Sequence, residues 1–79
     1  MKSPLVKGDI ISARERQVLE LIASEYTMPE VARHLHISVN TAITHKRHLI
    51  EKLQVKNTVG LVRRAFEYGL LKISSFEAA

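Results

Sequence analysis

Four times along this chain a small polar residue stands just before apolar residues at helical spacing, a punctuation that favours short helices over anything else. Ser12-Ala13-Arg14-Glu15 has the form of a capping box, in which hydroxyl and carboxylate each satisfy one orphan amide of a first turn. Val18, Leu19, Ile22 and Ala23 follow, which predicts a first helix near residues 13–25. Thr27-Met28-Pro29-Glu30 repeats the signature, with proline tolerated because its missing amide would be unpaired there anyway. Val31, Ala32 and Leu35 carry a second helix to about His34 or Leu35. His36-Ile37 then reads as a tight connector, with Ile37 plugging the core beside the Ser38 cap.

The third helix is predicted from Val39 to Leu53 and is broken by Gln54-Val55-Lys56. Asn57 or Thr58 caps a fourth, through Val59, Leu61, Val62, Ala65, Phe66 and Tyr68, with Gly69 as its stop. Leu70-Leu71 should fold back on the core. There is no strand pattern and no internal repeat. The expected fold is all-α, a four-helix bundle-like domain containing a helix-turn-helix. Residues 1–10, with Pro4, Gly8 and no period, read as a mobile leader, residues 11–71 as the domain and residues 72–79 as a tail.

The third helix carries the functional signal. Ala42, Leu49 and Leu53 form its apolar stripe, whereas Thr44, Lys46, Arg47 and His48 point elsewhere and Glu51 is its one acid. A buried helix would not keep so many polar groups, and a merely solvated one would carry more acid. Such a helix suits the DNA major groove. Charge agrees: residues 31–66 hold seven basic residues against one acid, while the remainder holds five against seven. The positive field sits on the second half, as phosphate recognition requires. The bland alternative is a solubilising charged face.

Composition narrows the rest. At 79 residues the chain is one small domain, near the lower limit for folding on a single core. It has no cysteine, so neither a disulfide scaffold nor a thiolate zinc site is available. No apolar run approaches the roughly 20 residues of a membrane span, and residues 1–10 are too short and too polar for a signal peptide. A cytoplasmic location without membrane contact is expected. His34, His36, His45 and His48 straddle the connector with no acidic ligand nearby, so no metal or cofactor is expected. Glu15 and Glu30 are explained by their capping positions, and nothing supplies a nucleophile or a glycine-rich phosphate loop. The chain does not read as an enzyme.

The order of these residues resembles the LuxR-type (GerE-like, NarL-type) helix-turn-helix DNA-binding domain. The resemblance covers residues 11–71. It is carried by Arg14-Glu15 with Val18-Leu19, by Glu30-Val31-Ala32, by Ile37-Ser38 before Thr41, by His45, and by Lys52-Leu53 before Val55. It implies a fold of the winged-helix-superfamily type and a bacterial transcription regulator that binds double-stranded DNA. Matching positions imply base contacts by Ile43, Thr44 and Arg47. Arginine can bond guanine bidentately, and Ile43 or the Thr44 methyl can meet a thymine methyl. Phosphate contacts are expected from Thr27, Asn40, Thr41, His45, Lys46, Lys52, Lys56 and Asn57. For His45 the competing reading is a half-buried structural residue.

In the resembled family the fourth helix pairs with its symmetry mate. That implies a homodimer through Val59, Val62, Arg63 and Phe66 on an inverted repeat, with RNA polymerase as a further partner. The alternative is that these apolar side chains serve one small core. Where the family commonly has glycine this chain has Glu25, His36 and Gln54, so altered or strained connectors are expected. Ile43 stands where many members carry lysine or arginine. The rival functions are a protein-binding adaptor and a sigma-factor-like promoter-recognition module, and the basic third helix favours DNA over the adaptor.

Overall fold

All four caps form as the sequence predicts. The structure, a computed structural model, describes residues 11–72. It contains α1 (Ala13–Ala23), α2 (Met28–Leu35), α3 (Val39–Leu53) and α4 (Thr58–Glu67). The Ser12 hydroxyl accepts from the Glu15 amide at 3.0 Å, and Glu15 Oε1 accepts from the Ser12 amide at 2.9 Å. Thr27 and Glu30 close the same reciprocal pair at the start of α2. Ser38 and Asn57 accept from the amides of Thr41 and Gly60, so in every helix the capping side chain satisfies an orphan amide of the first turn. The proposed leader and residues 73–79 of the proposed tail lie outside the described residues. Among the described residues there is no strand.

The helix ends depart from expectation by a residue or two. α1 stops at Ala23, short of residue 25, because the Ser24 amide bonds back to the carbonyls of Glu20 and Leu21 while Glu25 turns left-handed at φ 72°. α4 stops at Glu67, and Tyr68 is its C-cap. His36 closes α2 at φ 60° and Gln54 closes α3 at φ 58°. These three left-handed residues are the positions where the resembled family favours glycine. A side chain there costs about 1–2 kcal/mol against the ordinary helical well. Gly69, at φ 78°, terminates α4 without that cost.

α3 packs against each of the other three helices. Val18 and Leu19 from α1, Val31 from α2, Ala42, Leu49 and Leu53 from α3, and Leu61 and Ala65 from α4 are sealed from solvent. Each large aliphatic among them contributes roughly 1.5–3 kcal/mol by leaving water. Ile37 packs half-buried on this core, with its amide on the Ala32 carbonyl at 3.0 Å. Leu70 and Leu71 fold back and bury themselves, both amides meeting the Ala65 carbonyl. Arg16 Nη1 donates to the Leu70 carbonyl at 3.1 Å, tying the end of the fold to α1. The compact turn at residues 36–38 thus sets α3 across α2, and α1 and α4 brace it from behind.

Candidate nucleic-acid interface

With Ala42, Leu49 and Leu53 facing the core, the opposite side of α3 is open. Asn40, Ile43 and Arg47 are exposed on it and Thr44 is half-buried, so the three residues expected to read bases share one side. The remaining polar candidates lie around them. Lys46 is half-buried on α3, Thr41 is exposed on its first turn, Lys56 and Asn57 are exposed in the connector to α4, and Thr27 caps α2.

Capping chemistry orients several of these groups usefully. Thr27 and Asn57 spend an oxygen on accepting a backbone amide. Thr41 accepts a bond from the Ser38 hydroxyl at 2.9 Å. The Thr27 hydroxyl proton is engaged by Glu30, whereas the Thr41 hydroxyl proton and the Asn57 NH₂ remain available to donate. Phosphate oxygens only accept, so such groups suit them.

The cations divide into two sets. Arg63 and Arg64 both bond Glu67, each at 3.3 Å. Arg64 also donates to the Leu53 carbonyl at 3.0 Å and lies 5.7 Å from the Tyr68 ring centroid, stapling α4 to the end of α3. Lys46, Arg47 and Lys56 make no ion pair among the described residues. Glu67, just beyond the basic stretch of residues 31–66, neutralises part of its charge, so the free positive field is narrower than composition suggests and is centred on α3 and its connector.

Glu15 shows the largest difference between expectation and structure. Its capping role does not suffice to explain it. The side chain is only 7% exposed, and Oε1 accepts from Lys52 Nζ at 2.8 Å across to α3. His48 Nδ1 approaches Oε2 at 4.0 Å. Burial pushes the Glu15 carboxyl up. The Lys52 bond, the Ser12 amide and the positive charge of Lys52 outweigh that and hold it below the usual carboxylate range. Glu30 is likewise lowered, mainly by the Thr27 amide and hydroxyl. Lys52 is therefore a tether between α1 and α3, still 38% exposed and able to meet a phosphate as well. No periodic signal in sequence announces a contact between residues so far apart.

His45 matches its half-buried structural reading. Its Nδ1 is sealed from solvent without a hydrogen-bond partner. The four histidines do not converge, and among the described residues no group of three histidine or acidic side chains could hold a metal ion. No helix there is long and apolar enough to cross a membrane.

On α4 the expected apolar stripe divides. Val59 is 78% exposed, whereas Val62 and Phe66 are half-buried and pack against the core. The helical turn explains this: with successive residues about 100° apart, Val62 and Phe66 flank the face that Leu61 and Ala65 turn inward. Arg63 is exposed and salt-bridged to Glu67.

The family model described as "Bacterial regulatory proteins, luxR family" matches residues 9–65. The chain belongs to that family. The oxygen regulatory protein NreC of Staphylococcus carnosus is 42% identical over 62 residues, which is 78% of this chain and 29% of NreC. The transcriptional regulatory protein UhpA of Escherichia coli is 42% identical over 61 residues, 77% of this chain and 31% of UhpA. The transcriptional regulatory protein MctR of Rhizobium johnstonii is 38% identical over 64 residues, 81% of this chain and 30% of MctR. The chain thus spans about a third of the length of these regulators. The solved structure of the transcription factor GerE superposes with a TM-score of 0.76 at 25% identity, covering 80% of this chain and 94% of GerE. This LuxR-type helix-turn-helix domain belongs to a family of transcription regulators, not of enzymes.

Proposed function

We propose that this LuxR-type domain binds double-stranded DNA in the bacterial cytoplasm and regulates transcription, with α3 lying in the major groove. Ile43, Thr44 and Arg47 contact base edges. Thr27, Asn40, Thr41, His45, Lys46, Lys52, Lys56 and Asn57 hold the phosphate rows on either side. Two copies pair through α4 at Val59, Val62, Arg63 and Phe66 and read an inverted repeat. The observation carrying this reading is the two-sidedness of α3. Its core side is closed by Ala42, Leu49 and Leu53, while its open side presents Asn40, Ile43 and Arg47, the arginine without a carboxylate partner among the described residues.

Fluorescence anisotropy with labelled random-sequence duplexes tests it over a series of salt concentrations. Each phosphate neutralised contributes about −0.9 to the slope of log K against log salt. A steep negative slope is expected. A protein-binding adaptor would leave the duplex unbound even at low salt.

A further inference from the structure

Four large apolar side chains stand exposed among the described residues, and two of them, Val39 at 40% and Ile43 at 39%, lie on α3. Spaced four residues apart they neighbour each other on one ridge of the helix, and Arg47 continues that ridge one turn further. Capping does not require Val39, since Ser38 already performs it. Nor does core packing, because neither residue belongs to the buried cluster or to the apolar groups packed on it. β-Branched residues are also poorer helix formers than the polar residues a solvated face would otherwise hold. An apolar pair beside unpaired cations suits a surface that is itself both apolar and anionic. The duplex major groove is such a surface, because thymine alone places a methyl group there between two rows of phosphate.

We propose that Val39 and Ile43 together read thymine methyl groups, making the half-site of this domain a pair of thymines beside the base read by Arg47. The proposal rests on the groove docking described above and adds Val39 to the reading residues. The four residues from Val39 to Ile43 advance about 6 Å along the helix. Base pairs are stacked about 3.4 Å apart. The two thymines therefore lie about two base pairs apart.

Two pools of random-sequence duplexes, one synthesised with thymine and one with uracil, differ only in that methyl group. Selection with the full chain from the thymine pool should fix thymine at two positions of each half-site. Remaking the selected duplexes with uracil at either position should weaken binding about fourfold, the effect of one buried methyl. Val39→Ala and Ile43→Ala should each abolish the uracil sensitivity of one position while circular dichroism shows the helical fold retained, since neither side chain belongs to the core. Strong, salt-dependent binding with equal affinity for the thymine and uracil forms would overturn the methyl readout and leave the groove docking standing. Absence of binding to both pools at low salt would overturn the two together.

Discussion

Glu15 illustrates how one residue can serve two levels of structure. Its carboxylate caps α1 and at the same time holds Lys52 of α3 at 2.8 Å. Because its folded value lies below the ordinary 4.5, the unfolded chain takes up the proton first. The stabilisation is therefore present above pH 4.5 and is lost as pH falls through the folded value. Glu15→Gln should cost about 1–2 kcal/mol near neutrality, a figure held down by the partial exposure of Lys52. Urea melts should show wild type and variant converging as the medium is acidified below that point. A constant difference down to strong acid would show that the ion pair contributes nothing. A second residue-scale test concerns the left-handed connector at His36. His36→Gly exchanges a strain of about 1–2 kcal/mol for a backbone-entropy cost of about 0.5–1 kcal/mol. Its melting temperature should rise by a few degrees, and a fall would mean the side chain has a stabilising contact that outweighs the strain. At this scale the capping boxes were legible because their partners are three residues apart. The Glu15–Lys52 tether was not, since only the packing of α1 on α3 brings the two together.

The helices themselves were legible almost whole, because capping residue, apolar period and stop signal agreed for each of them. Errors fell at the ends of α1 and α4, where the last turn is decided by which amide finds which carbonyl rather than by composition. The inward face of α3 was read correctly from Ala42, Leu49 and Leu53. What periodicity could not separate on its outward side is base contact from phosphate contact, since both call for exposed polar groups. Substitution separates them. Arg47→Ala should lose roughly 1–3 kcal/mol of discrimination at one base pair of each half-site. Lys56→Ala should weaken every sequence alike and reduce the salt slope by about one contact. Both residues are exposed and unpaired among the described residues, so neither change disturbs the fold. Anisotropy titrations against a selected duplex and its single-base variants distinguish the two. Equal losses on all sequences for Arg47→Ala would remove it from base readout.

At the scale of the whole molecule the proposed pairing of two copies through α4 is what remains to be tested. Recognition helices of a two-fold module must lie about one duplex turn apart, roughly 34 Å. A paired α4 could set that distance. The free surface available for pairing is small. Val59 stands fully out, while Val62 and Phe66 already lean on their own core. A stable interface buries on the order of 1,200–2,000 Å². So slender a patch predicts a monomeric free domain that pairs when two half-sites raise its local concentration. The sequence suggested a full apolar stripe because a helical wheel counts apolar residues without knowing how widely the core face extends. Val59→Glu tests the pairing, since that side chain does not pack on the core and its loss leaves the fold intact. It should place two like charges at the pair axis, abolish cooperative binding to an inverted repeat and leave the affinity for a single half-site unchanged. Band-shift titration on one-site and two-site duplexes measures both quantities. Cooperativity that survives Val59→Glu would move the dimer contact away from α4. A parallel loss on the single site would instead place Val59 against DNA.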